Sequence, residues 1–212
     1  MAAEPPAKVV APADWATYKR MPGLVLGFHG CDRTDAENVL SQKSRHLRFS
    51  RNDHDWLGDG IYFWENDPWR ALDWATESKA HPGQSVGNIA DPYVIGAVID
   101  LGVCCNFLDF ERCSDLARAY EFIKGVYDAV SVPLPENKFG PDRVRRYRDK
   151  LVVKSMHDLR GDQGLSPFQT VRAAFFEGAE LYDGAGFRKK NHIQIAVCDT
   201  ECIKGYFRLP GQ

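Results

Sequence analysis

The chain has 212 residues, a formal net charge of −2, 44% hydrophobic and 26% charged residues. That length suits one domain, or one domain carrying an inserted subdomain, and it is long enough to bury a sizeable core. The near-neutral balance excludes a global electrostatic pull toward nucleic acid or an anionic membrane. No apolar run approaches the ~20 residues that a membrane span needs, so no membrane partner is expected, and cysteines without a pairing pattern suit the reducing, cytoplasmic compartment. Met1 to Pro12 is rich in Ala and Pro without the charged-then-apolar order of a signal peptide. Residues 1–20 are therefore expected as a flexible tail and residues 21–212 as a single domain.

Leu24 to His29 reads as a short buried strand running into Gly30-Cys31. Thr34-Asp35-Ala36-Glu37 matches a capping box, and Ala36, Val39 and Leu40 give the following helix its apolar face. His46 to Ser50 alternates polar and apolar residues, as a half-buried strand does, and the polar Arg51–Asp55 stretch follows as a loop. Gly58 to Ala75 organises the chain. Two glycines permit a tight turn, Ile61 to Trp64 has strand length and composition, Asp67 suits an N-cap, and Pro68 suits the first helical position. This helix is expected to end near His81-Pro82-Gly83, followed by a loop from Gln84 to Pro92. Tyr93 to Leu101 is apolar enough for an interior strand.

Ser114 is expected to cap a helix carrying Leu116, Tyr120, Ile123 and Tyr127, and Pro141 to open another through about Asp158. These two helices read as an insertion, at about residues 110–165, in a mainly β body. Phe168–Phe176, His192–Val197 and Ile203–Leu209 carry strand signals, with a glycine-rich basic loop at Tyr182–Asn191. Strands at both ends with helices between argue for α+β and against a parallel βαβ series. The six cysteines have no zinc-knuckle or CxxC spacing. Free thiols and no metal are expected, with the adjacent Cys104 and Cys105 on opposite faces of a strand.

Tyr62 on its strand and Trp74 two turns into the next helix can set two rings across a slot for a flat ligand, although large aromatics also serve burial. A strand ending in His29-Gly30 offers an imidazole beside unencumbered backbone. The Gly30 N–H and C=O match the acceptor and donor of a primary carboxamide. His29 suits a ribose hydroxyl. Together these features fit nicotinamide on a ribose, that is, NAD.

Gly27-Phe28-His29-Gly30, Leu47-Arg48-Phe49, Gly60-Ile61-Tyr62-Phe63 and His192 to Phe207 occur in the order found in ADP-ribosyltransferases. They resemble the His-Tyr-Glu branch shared by diphtheria-type toxins and poly(ADP-ribose) polymerases. The resemblance covers most of the chain outside Asp109 to Pro167. It implies a split antiparallel β core of two facing sheets with flanking helices, with NAD as substrate. It also implies that Gly30 clamps the carboxamide, His29 bonds ribose, Tyr62 and Trp74 stack nicotinamide, and Arg48 contacts the adenosine side. Gln194 stands where the family carries its signature Glu. Gln keeps an acceptor for the ribose 2′-hydroxyl but supplies no negative charge for an oxocarbenium-like transition state. Glu177, the nearest upstream carboxylate, would supply it if its strand runs beside Gln194.

Two basic clusters remain: Arg143, Arg145, Arg146, Arg148, Lys150 and Lys154 in the insertion, and Arg188, Lys189 and Lys190 before Gln194. They suit either a solvated face or an acceptor carrying phosphates. The sequence thus leads to a mono-ADP-ribosyltransferase acting on a macromolecular acceptor, protein or nucleic acid. Its rivals are an NAD glycohydrolase, an NAD-dependent RNA 2′-phosphate-removing enzyme, and an NAD-binding module without catalysis.

Overall fold

The computed structural model describes residues 23–82 and 88–211. The tail expected at residues 1–20 and residues 84–87 of the Gln84–Pro92 loop lie outside the described residues. The elements are β1 Leu24–Asp32, α1 Arg33–Leu40, β2 Ile61–Glu65, α2 Pro68–Ala80, β3 Pro92–Asp100, β4 Cys104–Asn106, α3 Phe110–Ala129, α4 Tyr147–Asp162, β5 Thr170–Phe175, β6 His192–Val197 and β7 Ile203–Arg208. The fold is α+β, with a seven-stranded sheet in the order β4-β5-β6-β2-β1-β3-β7. Neighbouring strands are antiparallel except for the parallel β4–β5 pair.

The strands form one continuous mixed sheet, where two separate sheets were expected. The continuity is narrow, however. β1 and β2 pair only at Gly27↔Glu65 and Phe28↔Trp64, whereas β1 pairs with β3 along its whole length. The sheet therefore forks at the β1–β2 junction. At Gly27 an added Cβ would lie 2.6 Å from Ile99 Cδ1 and 2.8 Å from Phe63 Cβ, so only glycine lets the two strands and their core side chains close there. One core cluster takes Cys31, Ile95, Ala97 and Ile99 from one branch and Ile61, Phe63, Ile195 and Val197 from the other. A second lies under the insertion, where Ala119, Val152, Val153 and Met156 meet Val171, Ala173 and Ala196.

Several local expectations hold. The Asp67 carboxylate accepts from Arg70 N at 2.9 Å and Pro68 opens α2. β3 is interior, with Val94, Ile95, Ala97 and Ile99 all buried. Cys104 and Cys105 lie on β4, with only Cys105 buried, and all six thiols are free. Burial pushes Cys31, Cys105 and Cys198 up to about 12 and Cys202 to about 11.

Others are corrected. α1 is capped by Asp32, not by the Thr34 box: its carboxylate accepts from Thr34 N at 2.9 Å and also from Ala90 N and Asp91 N. Those backbone bonds hold its pKa down to about 2. His46–Ser50 is not a strand; only Ser50 bridges, to Gly60. α3 starts at Phe110 behind an Asp109 cap, ahead of Ser114. α4 starts at Tyr147, since the residues after Pro141 form a turn closed by the Lys138↔Arg145 bridge.

Candidate functional site

The fork opens into a cavity of about 840 Å³, lined by His29, Gly30, Arg48, Tyr62, Trp74, Glu177 and Gln194 among others. All the site residues expected from the sequence thus meet at one place, brought from β1, the loop after α1, β2, α2, the segment after β5, and β6.

β1 supplies the first pair. Asn66 N donates to Leu26 O at 3.0 Å. The alternation of an antiparallel ladder then turns the Phe28 and Gly30 peptide groups toward β2 as well. β2 pairs with Phe28 but no further, so the Gly30 N–H and C=O face the opening fork. Glycine is required here for a second reason: an added Cβ would lie 2.1 Å from Ala71 O, where α2 packs on β1. His29 Nδ1 lies 2.6 Å from Tyr62 O. A carbonyl only accepts, so Nδ1 carries the proton and Nε2 is left as an acceptor. Burial lowers the His29 pKa, outweighing the bond to Tyr62, and keeps the imidazole neutral near pH 7.

β2 alternates sharply. Ile61 and Phe63 are fully buried in the core, and Tyr62 and Trp64 take the cavity face. The Tyr62 hydroxyl accepts from Leu57 N at 2.9 Å and donates to Gly58 O at 2.7 Å, pinning the preceding loop. Burial raises its pKa well above the usual phenol value, so it stays neutral. Trp74 lines the cavity from α2, but its ring neighbour is Trp64, at 5.8 Å between centroids. The expected Tyr62–Trp74 slot is thus a Trp64–Trp74 wall that shares the cavity with Tyr62. Trp64 was missed, although the two-residue period that placed Tyr62 places it too.

Gln194 occupies the middle of β6, paired with Trp64 on one side and Ala173 on the other. The small Ala173 leaves space beside it. Ile195 and Val197 are fully buried on the opposite face, as the strand period requires. Behind Gln194, His192 is packed among the rings of Trp56, Trp64 and Phe175. Burial lowers the pKa of His192 also.

Glu177 is placed differently from the expectation. β5 does run beside Gln194, but through Ala173. Glu177 lies four residues further on, opposite Lys190, whose N–H donates to Glu177 O. At ~3.3 Å per residue that is about 13 Å along the strand. Its carboxylate is 3.0 Å from Arg70 Nη2, in a pair with side chains only 16% and 8% exposed. Arg70, buried on α2, was not singled out from the sequence.

Other charges on the lining are largely spoken for. Asp55 accepts from Ser50 Oγ and Asn52 N, and Glu77 pairs with Lys190. Arg48 is exposed at the rim with no hydrogen bond or ion pair among the described residues. The basic clusters mostly close on themselves: Arg146 pairs with Asp149, Lys150 with Asp59, Lys154 with Asp158, Arg188 with Asp142, and Arg148 donates to Pro135 O. Lys154 and Arg188, 63% and 42% exposed, form a solvated face, whereas Arg146 and Lys150, 25% and 15% exposed, are partly buried ties within the fold. Among the described residues, no group of His, Cys, Asp and Glu has the arrangement of a metal site, and no helix is long and apolar enough to cross a membrane.

No family model matches the chain, and no solved structure does. The chain is similar to the uncharacterized protein MJ0359 of Methanocaldococcus jannaschii, at 26% identity over 193 residues, covering 84% of this chain and 83% of that one. The likeness spans the body of the chain and supplies no activity.

Proposed function

We propose that this protein is a mono-ADP-ribosyltransferase that cleaves NAD, releases nicotinamide and passes ADP-ribose to a macromolecular acceptor. The observation that carries this reading is the convergence of His29, Gly30, Arg48, Tyr62, Trp74 and Gln194 on one cavity at the sheet fork. In this reading the Gly30 peptide groups take the two halves of the carboxamide, and the Tyr62, Trp64 and Trp74 rings enclose the nicotinamide. His29 Nε2 accepts from a ribose hydroxyl, and the Gln194 side-chain oxygen accepts from the 2′-hydroxyl. The bond between ribose C1′ and the nicotinamide nitrogen breaks, and its electron pair neutralises the pyridinium. The acceptor nucleophile bonds to C1′ and gives up its proton. The protein contributes positioning and oriented dipoles more than acid–base chemistry.

The rate should be modest. Gln194 brings no charge to the developing cation, and Arg70 offsets the charge of Glu177. Each ~1.4 kcal/mol of lost transition-state stabilisation costs a factor of ten. The same observation favours a second reading, an NAD-binding module without catalysis. Incubation of the purified protein with NAD, with and without cell extract, separates the outcomes. Label transferred to a macromolecule only with extract supports the transferase. Nicotinamide release without extract indicates hydrolysis, and NAD binding with no release in either indicates the module.

A further inference from the structure

The helical insertion reaches the cavity through the turn that precedes α4. Lys138 and Arg145 bridge as an antiparallel pair and close a short strap. The strap and the start of α4 behind it are fastened to the loop before β2. Trp56 Nε1 donates to Val144 O at 2.8 Å, Arg146 N donates to His54 O at 3.3 Å, and Lys150 Nζ donates to Asn52 O at 2.6 Å. The Arg146 guanidinium lies over the Trp56 ring at 4.8 Å. A firm anchorage of this kind holds the strap against the cavity mouth, where Phe139, Val144 and Arg145 join the lining.

Two features of the strap bear on a ligand. Phe139 has φ of 75°, a left-handed conformation taken up in the tight turn where Val144 N donates to Phe139 O at 3.0 Å, and the residue is 54% exposed. The turn thus leaves a large aromatic side chain outside the core. The Arg145 guanidinium lies over that ring, 5.2 Å from its centroid, and has no carboxylate partner among the described residues. Elsewhere on the lining the pattern repeats: Arg51 lies over Phe49 at 4.9 Å without a carboxylate partner among the described residues, and Arg48 is the next residue in sequence to Phe49. Most acidic groups on the lining are engaged elsewhere, so this rim presents three cations with two aromatic faces. Arginine forks match phosphate geometry, and aromatic faces stack on bases.

We propose that the insertion strap, residues 138–145, and the Arg48–Arg51 loop together form a nucleotide subsite, with Phe139 stacking on a base and Arg145, Arg51 and Arg48 holding its phosphates. The ligand class is a nucleoside diphosphate. The subsite deepens the ADP-ribosyltransferase reading, and rests on it for the role of the bound nucleotide, since the distal half of NAD is such a ligand. Nucleotide binding at the strap is separate from cleavage at Gln194. The insertion therefore serves as half of the binding cleft.

The test is calorimetric titration of the full chain with ADP at two salt concentrations, repeated on Phe139→Gly, Phe139→Trp and Arg145→Gln. ADP should bind the wild type, more weakly at high salt. Phe139→Gly and Arg145→Gln should each bind at least about tenfold more weakly, the scale of one charge-assisted bond or stacked ring. Phe139→Trp should retain binding. Phe139→Gly relieves the left-handed strain, so its melting temperature should hold or rise while ADP affinity falls. No ADP binding to the wild type, or equal binding to Phe139→Gly and Arg145→Gln, overturns the subsite. Competition identifies the source within a positive result: displacement of ADP by NAD assigns the distal half of the dinucleotide, and simultaneous binding assigns a separate nucleotide acceptor. ADP binding without any nicotinamide release from NAD leaves the subsite standing and removes the transferase reading. Nicotinamide release from NAD by the wild type and by both variants, with no ADP binding to any of them, removes the subsite and leaves the transferase reading standing.

Discussion

His29 shows how one residue carries both structure and chemistry. Its Nδ1–H bond to Tyr62 O bridges the fork where backbone pairing has ended, and that bond leaves Nε2 as an acceptor on the cavity lining. His29→Ala should therefore lower NAD affinity and nicotinamide release while costing only the ~1 kcal/mol typical of one hydrogen bond in stability. Parallel measurement of melting temperature and turnover on one preparation checks this. Loss of stability with normal turnover of the folded fraction would assign His29 to the fold alone. Gly30 is expected to behave in the opposite way. An alanine Cβ there would strike Ala71 O at 2.1 Å, and backbone does not yield as a side-chain tip does. Gly30→Ala should thus destabilise by about 1–3 kcal/mol, read as a shift in denaturation midpoint, in addition to disturbing the carboxamide position. Both residues were legible in the sequence, because a His-Gly strand end is a local pattern. The partner of Glu177 was not: Arg70 lies 107 positions away in the chain, and no local pattern reports such a meeting.

At the scale of elements, the same division holds. β2, α2, β3 and β6 were readable because each carries its own period, cap or apolar run. The start of α4 was not, because Pro141 mimics a helix opening while the bond from Trp56 Nε1 to Val144 O and the bond from Arg146 N to His54 O hold the following residues as a strap. The joining of the sheet into one was also hidden, since two paired residues at Gly27 and Phe28 decide it. The branch that carries Gln194 is held by an ion pair spanning β6. Arg172 on β5 meets Glu65 on β2 at 2.5 and 2.7 Å, with side chains 12% and 10% exposed. Asn106 adds a bond to Arg172 at 3.2 Å. Glu65→Ala would leave a buried guanidinium without its carboxylate, a loss of about 3–5 kcal/mol. Chemical denaturation of this variant should show that loss. A change below ~1 kcal/mol would mean that the pair is as weak as a surface one.

The whole molecule should respond to acid in two stages. Burial lowers the pKa of His29, His157 and His192 below the ordinary 6.5. The unfolded chain then binds more protons than the native one as pH falls below ~6.5, and stability declines by up to ~1.4 kcal/mol per pH unit for each histidine until its folded pKa is reached. Asp32, held at about 2 by backbone donors, with Asp199 and Glu37 lowered by their own partners, extends the loss through the carboxylate range below ~4. Denaturation midpoints should therefore already fall between pH 7 and pH 5, ahead of the carboxylates. A flat midpoint across that interval would mean that the histidines are less enclosed than their positions indicate.

If the fork cavity cleaves NAD, Gln194 sets how fast it does so, and Gln194→Glu is the decisive substitution. Glutamate at this position would supply the negative charge that glutamine lacks, while the shape and the cross-strand partners Trp64 and Ala173 stay the same. The measurement is nicotinamide release from NAD in a single turnover by the wild-type chain and by Gln194→Glu, with each protein at saturating concentration and in excess of NAD. Release should be slow in the wild type and faster by about tenfold or more in the variant, the gain of one charge-assisted bond in the transition state. Absence of release from both proteins, with the fold intact, would contradict it.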